Sequence, residues 1–428
     1  MKKFLAATLA ASLMLMTACD DPEDQAPATE DYLIETTLDQ PELKETDVPS
    51  VSAQDKTAWA NEVNPFGLQI IDKLSDKGNV VFSPAALHSA LAMAAYGADG
   101  KTYSEIASAL HFDGDREISE KLSADMQLVL RFDGQDPNSR FIMANNLWLD
   151  KKVQISDAFK DAMKTLFKAP VQICNFIDYA VYVLDKIGSW INDLTGGFVA
   201  DLTDKTAKHI EFMLVSATKF EAKWAHPFDS SKTQQKRFIG SSGKEVLVDF
   251  MHLIYDFEYY ESVEKGYQAI VIPYMDDIFD MVIILPNDAS NAKEALKSIS
   301  AEDFAKIHLD TPEYRLLDLS LPKFNISYDL PPSEIISRLK NIGIVEAFAE
   351  GLANFKILSP SYNVFIDSFL HQAVIAIDEG GTNTNNAANA TEDKSGDATQ
   401  LSIDHAFAFA IVHKASGALV YLGVVNDL

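Results

Sequence analysis

Near the C-terminal end, two apolar runs that read as strands, 364–377 and 405–414, are separated by a stretch without bulky side chains. It runs from Glu379 to Thr399 as EGGTNTNNAANATEDKSGDAT. No other feature constrains the fold as much, because a loop this long inside a compact domain is either functional or disordered. Composition alone favours a flexible surface loop. The same composition also permits a second use. Thr, Ala and Asn are compact, and the pair Gly380-Gly381 can act as a pivot. From Gly380 to Thr391 there is no charge, so burying this run desolvates no ion. Such a segment can pair as an added strand in a sheet that opens to accept it.

The rest of the chain supplies helices first and strands later. Trp59, Val63, Phe66, Ile70 and Leu74 recur at helical spacing. The run 85–96 is a helix apolar all round and therefore buried. A helix is expected over 102–110, with Thr102 as N-cap and Glu105 three residues on. Further helices are expected over 156–167, capped by Ser156, and over 187–194, 292–298 and 332–342. Strands are expected at 79–82, 142–149, 214–220, 246–251, 257–262, 268–273, 280–285 and 316–321. The last two strands, 405–414 and 418–425, are joined by the turn Ala415-Ser416-Gly417. This order indicates an α+β fold with large sheets.

Charge and the chain ends narrow the function. Lys and Arg number 36 against 63 Asp and Glu, a formal charge of -27. That sign argues against nucleic acid, whose binding needs a basic surface, and against a basic membrane-surface helix. At the N-terminus, Lys2 and Lys3 precede an apolar run from Phe4 to Leu15. The run is about half the length of a bilayer-spanning helix and reads as an export signal. Its end, Met16-Thr17-Ala18-Cys19, resembles a bacterial lipoprotein cleavage box, which would make Cys19 an acylated first residue. The other reading is an ordinary signal peptide in which Cys19 is incidental. Residues 19–56 read as an acidic, solvated tether, and 57–428 as the folded domain. Cys174 is then a lone thiol, expected to be a small buried residue.

Signatures of catalysis and metal binding are missing. Gly240-Ser-Ser-Gly243 is not a nucleophile elbow. There is no His-Glu-x-x-His and no P-loop, and the nine histidines have no ligand spacing. No cofactor and no metal are expected.

Several motifs stand in a distinctive order and spacing between about Trp59 and Leu428. They are Asn79 to Met93 (NVVFSPAALHSALAM), Gly97 to Thr102 (GADGKT), Trp190 to Val199 (WINDLTGGFV), Phe220 to Trp224 (FEAKW) and Pro227 to Asp229 (PFD). Met281 to Pro286 (MVIILP), Leu319 to Phe324 (LSLPKF) and His371 to Thr382 (HQAVIAIDEGGT) complete the set, and together they resemble the serpins, a family of serine protease inhibitors. The resemblance implies a large central sheet, an exposed reactive loop at about 379–402, and no nucleophile of the chain's own. In such proteins a protease cuts the loop and forms an acyl-enzyme. The cut loop inserts into the sheet and traps the enzyme. It also implies a monomer acting on a serine protease, or a cysteine protease, outside the cytoplasm. The alternative is a non-inhibitory binding or scaffold protein on the same fold.

Residue roles carry over by position. Glu379, Gly380, Gly381, Thr382, Asn383 and Thr384 match the hinge. Ser83, Ser216 and His371 match the polar cluster that controls sheet opening. Here Ser216 replaces the family's usual Asn, and Ala86 its usual Ser. The hinge also departs from the family's alanine run, carrying Asn383, Asn385 and Asn386. On insertion Thr382, Thr384, Asn386, Ala388 and Ala390 would face the core. Counting sixteen residues from Glu379 places the bait bond at Ser395–Gly396. The rival is Lys394–Ser395, because Lys394 is the loop's one basic residue.

Overall fold

A computed structural model describes residues 27–38, 42–74, 78–195, 210–288, 297–309, 313–384 and 390–428. Among these residues the helices are α1 Thr29–Tyr32, α2 Ala53–Leu74, α3 Pro84–Gly97, α4 Gly100–Ala109, α5 Arg116–Asp133, α6 Asp157–Thr165, α7 Phe176–Thr195, α8 Ala301–Leu309 and α9 Pro332–Asn341. The first strands are β1 Leu33–Glu35, β2 Val80–Phe82, β3 Ser139–Asp150, β4 Gln172–Cys174, β5 Phe212–Lys223, β6 Gln234–Ile239, β7 Glu245–Ser262 and β8 Tyr267–Pro273. There follow β9 Phe279–Pro286, β10 Glu313–Pro322, β11 Phe324–Leu330, β12 Ser368–Asp378, β13 Gly381–Thr382, β14 Thr399–Ser402, β15 Phe407–His413 and β16 Ala418–Val425.

They build an α+β fold on two sheets. The seven-stranded sheet runs β1-β4-β3-β5-β13-β12-β11. The nine-stranded sheet runs β14-β10-β7-β8-β9-β15-β16-β2, with β6 on β7. Helix α3 contacts β3 and β5 in the first sheet and β16 in the second. Its residues are buried on every side except at Tyr96, as its apolar sequence, interrupted only at His88 and Ser89, requires. Ser83 caps it by accepting from the Ala86 N–H at 3.2 Å, and Pro84 follows at the first helical position.

Tertiary partners moved several expected boundaries. Helix α4 starts at Gly100, so Thr102 is not its cap. Instead Thr102 Oγ1 accepts from the Asn354 N–H at 2.9 Å. Glu105 accepts from the N–H groups of Val345 and Glu346 at 2.8 and 2.7 Å. The strands expected at 246–251 and 257–262 are one strand, β7. The residues between them, His252 to Asp256, stay in register with β10, which pairs with β7 from Phe250 to Tyr259, and that pairing outweighs the break in alternation. The helix expected over 187–194 starts earlier, at Phe176. Strand β12 begins at Ser368 rather than at 364, because the Asp367 carboxylate turns to accept from the N–H groups of Glu211 and Phe212. The helix expected over 292–298 falls largely outside the described residues.

The described residues 27–38 and 42–56 of the segment expected to be a solvated tether lie on the body of the protein. Strand β1 pairs antiparallel with β4 at the edge of the seven-stranded sheet. Trp190 Nε1 donates to the Leu38 carbonyl at 2.7 Å. The Gln172 side chain donates to and accepts from the Thr37 backbone. Tyr32, Leu33 and Leu38 pack on the apolar cluster that contains Trp148, Val183 and Ile187. Acidic composition concealed these few apolar contacts. Cys174 is buried and free as expected, and burial holds its thiol far above its ordinary pKa. Among the described residues, no helix is long and apolar enough to cross a membrane.

Candidate functional site

The central strands of the seven-stranded sheet are joined at one end and parted at the other. β5 and β12 pair in parallel from Met213↔Ser368 to Ala217↔Gln372. Beyond those rungs β13 lies between them, with Gly381 opposite Lys223 and Asp378, and Thr382 opposite Ala222 and Ile377. Thr382 is fully buried, and its Oγ1 lies 2.6 Å from the Tyr274 hydroxyl. Gly381 has φ +152°, and a Cβ there would collide with the Ala222 carbonyl oxygen. Glycine is thus required at the point of entry.

The turn leading into β13 is held by backbone bonds. Asp378 Oδ1 accepts from the N–H groups of Gly380 and Gly381 at 2.8 and 3.1 Å and from Thr384 Oγ1 at 3.2 Å. Trp224 donates from Nε1 to the Asp378 carbonyl and from its backbone N–H to the Gly380 carbonyl. Its ring stacks on Tyr274 with centroids 4.6 Å apart. Glu379 accepts from Lys323 Nζ at 2.8 Å and from Thr233 Oγ1 at 2.7 Å. Burial works to raise its carboxyl pKa, and these two partners overcome that effect and leave it below the ordinary value. After Thr382, Asn383 adopts φ +50° and turns the chain out of the sheet. Asn is among the residues that tolerate this left-handed conformation.

Residues 385–389, with Asn386 and Ala388 among them, lie outside the described residues. Ala390 is exposed, and the loop beyond it rests on β7. The Thr391 N–H donates to the Pro227 carbonyl. Asp393 pairs with Lys232 at 2.7 Å and accepts from the Ile254 N–H at 3.0 Å. The Lys394 N–H donates to the Ile254 carbonyl, its ammonium lies 2.9 Å from the Asp256 carboxylate, and it sits over the Tyr255 ring at 4.1 Å. Ser395 and Gly396 follow as exposed residues, and β14 then pairs in parallel with β10.

Deeper in the sheet, Ser83, Ser216 and His371 meet. The Ser83 N–H donates to His371 Nε2 at 3.1 Å, and His371 Nδ1 lies 3.2 Å from Ser216 Oγ. An accepting Nε2 places the ring proton on Nδ1, directed at Ser216. Burial pushes the His371 pKa down to about 3, against the opposing contact with Ser216. The serine at 216 thus still reaches His371, while Ala86 takes part only through its backbone: its N–H donates to Ser83 Oγ, and its carbonyl accepts from Asn145 Nδ2 at 3.0 Å. Asn145 lies opposite Ser216 in register, and sequence reading overlooked it because nothing local marks it. Asp378 was also overlooked, although Asp two and three residues ahead of glycines is a recognisable turn signal.

One constellation imitates a hydrolase. His413 Nδ1 lies 2.8 Å from Ser416 Oγ and its Nε2 lies 3.0 Å from Asp133 Oδ2. Ser416 and His413 are both buried, and Ser416 Oγ accepts from the Ala418 N–H in the β15–β16 turn. This hydroxyl is buried and closes the β15–β16 hairpin. Cys19 lies outside the described residues. Among the described residues, no cluster of His, Cys, Asp and Glu could hold a metal ion.

Comparison with known proteins agrees with this geometry. A family model described as Serpin (serine protease inhibitor) matches residues 61–428. A protein named Serine protease inhibitor from Cyanea capillata is 28% identical over 354 residues, covering 82% of this chain and 92% of the relative. Serpin-ZX from Arabidopsis thaliana is 27% identical over 375 residues, covering 84% and 94%. Among solved structures, the thermophilic serpin tengpin in its native state superposes with a TM-score of 0.77 at 23% identity, covering 89% of this chain and 96% of that one.

Proposed function

The chain belongs to the serpin (serine protease inhibitor) family, and from that premise we propose that it traps a serine protease, or a cysteine protease, by loop cleavage and insertion. The observation that carries this reading is the hinge. Gly381 and Thr382 already occupy the first two strand positions between β5 and β12. A protease that cuts the loop forms an acyl-enzyme, and the freed strand continues along the course the hinge has begun. Deacylation then competes with insertion, and deformation of the trapped enzyme stops it.

The bait bond is Ser395–Gly396. The count from Glu379 selects it, and the contacts of Lys394 support it over its rival. The Lys394 ammonium is engaged by Asp256 and Tyr255, so a trypsin-like pocket would first have to strip it away. Ser395 is exposed and suits proteases with small or permissive pockets. Incubation with a protease panel tests both points. The expected result is a complex that survives boiling in detergent and a released fragment starting at Gly396. Cleavage without a complex would instead support a non-inhibitory binding or scaffold protein. That second reading draws on Asn383, whose side-chain amide donates to the Phe220 and Val374 carbonyls and must leave both before the strand can advance.

The domain acts outside the cytoplasm as a monomer, held to the cell envelope by acylated Cys19 and facing the periplasm or extracellular space. The Met16 to Cys19 box supports this. Cys19→Ser should leave the protein unprocessed or release it from membranes. A mature, unmodified soluble chain starting elsewhere would remove the anchor.

A further inference from the structure

Asn383 combines three features found together at the open end of the slot. Its backbone is left-handed, at φ +50°. Its N–H donates to the Ala376 carbonyl at 2.6 Å. Its side-chain Nδ2 donates to the Phe220 carbonyl on β5 at 2.8 Å and to the Val374 carbonyl on β12 at 3.3 Å. Those carbonyls lie on the two edges that part around the hinge, just beyond the Thr382 rung and ahead of the rungs where β5 and β12 pair directly. The amide therefore takes two carbonyls, one on each edge, that backbone N–H groups of a longer inserted strand would meet. It joins both edges with one NH2 group, and its buried Oδ1 has no hydrogen-bond partner.

We propose that Asn383 is the positioning residue that halts the hinge after two inserted residues. Advancing the strand requires its φ to return to the extended region and its NH2 to leave both carbonyls. Withdrawing the hinge breaks the same two bonds. The amide thus deepens an intermediate position and raises the barrier on both sides. The orphaned Oδ1 limits the depth of that position, since a buried unpaired acceptor is costly, and so the halt can be overcome. Neither a shorter polar side chain nor an alanine offers two donors at this reach. Asp has the shape of Asn but presents oxygen where the two carbonyls need a donor.

This inference rests on the loop-insertion reading, and the test separates the two. Asn383→Gly keeps the left-handed backbone available and removes the NH2. Asn383→Asp keeps the shape and reverses the donor. In the uncleaved full-length protein, both variants should speed amide exchange at 381–383 and at Trp224, whose N–H bonds the Gly380 carbonyl. Both should also convert on warming to the inserted, urea-resistant form about tenfold faster than the parent chain, as expected for two lost hydrogen bonds. Unchanged or slower conversion in both variants overturns the halt, whatever the exchange rates do. Failure of the insertion reading looks different: the parent chain, cut at the loop, gains no thermal stability. In that case, conversion in the glycine or aspartate variant alone would still support a halt at Asn383, and its absence there would overturn it.

Discussion

His371 is held neutral between Ser83 and Ser216, and that neutrality couples the sheet to acid. Its pKa is lowered from 6.5 in the unfolded chain to about 3 in the fold, chiefly by burial. Between those values the unfolded state binds the extra proton, so stability is complete above about 6.5 and falls as pH drops toward 3. The slope from one such group reaches at most about 1.4 kcal/mol per pH unit. His371→Gln is expected to flatten the melting temperature against pH between 6.5 and 4. Equal slopes in the two proteins would assign the acid response to other groups, of which His88, also lowered by burial to about 4, is the first to test. At the hinge, Thr382 touches the Tyr274 hydroxyl in full burial. Thr382→Arg would bring an unpaired guanidinium there at a cost of several kcal/mol. The expected outcome is a protein cleaved as a substrate, with no detergent-stable complex on gels. Undiminished complex formation by the variant would show that Thr382 does not enter the sheet during trapping.

The edge strand β1 and helix α7 form the element pair that the acidic N-terminal composition concealed. β1 covers the edge of β4, which would otherwise present unpaired backbone groups. Tyr32, Leu33 and Leu38 add partly buried apolar area against the α7 cluster. Deleting 27–38 is expected to lower stability by about 2–4 kcal/mol on apolar burial alone. It should also speed amide exchange in α7. A urea midpoint and exchange profile identical to the intact chain would show the segment to be merely resting there. The expected α4 cap failed for a related reason. Thr102 and Glu105 do make hydrogen bonds to backbone N–H groups, but to those of Asn354, Val345 and Glu346, more than 200 residues away in the sequence.

For the whole molecule, the parted β5 and β12 mean that the uncut chain has not formed every strand pairing it can form. A loop cut at Ser395–Gly396 and fully inserted would add a strand of about ten residues. At about 1 kcal/mol net per hydrogen bond, with each kcal/mol worth a few degrees in a domain of this size, the melting temperature should rise by about ten degrees or more. Calorimetry before and after cleavage measures this. A fall or no change would mean that the loop remains outside the sheet.

Much of this was legible in the chain itself. Period-two alternation and apolar runs located most strands, and an all-apolar run identified α3 as buried, because side-chain periodicity is a local property. The uncharged run from Gly380 to Thr391 showed that this segment can be buried, because desolvation cost depends on composition. The order of motifs from Asn79 to Thr382 marked the family. The tertiary structure alone decided where the hinge stops. The three atoms that hold Asn383 belong to Phe220, Val374 and Ala376, brought together by the sheet register of β5 and β12. The meeting of Ser83, Ser216 and His371 likewise depends on register, since slipping any one strand by a residue would turn its side chain to the opposite face. Sequence periodicity specifies which face a residue occupies; only the packed sheets determine which distant residue stands opposite it.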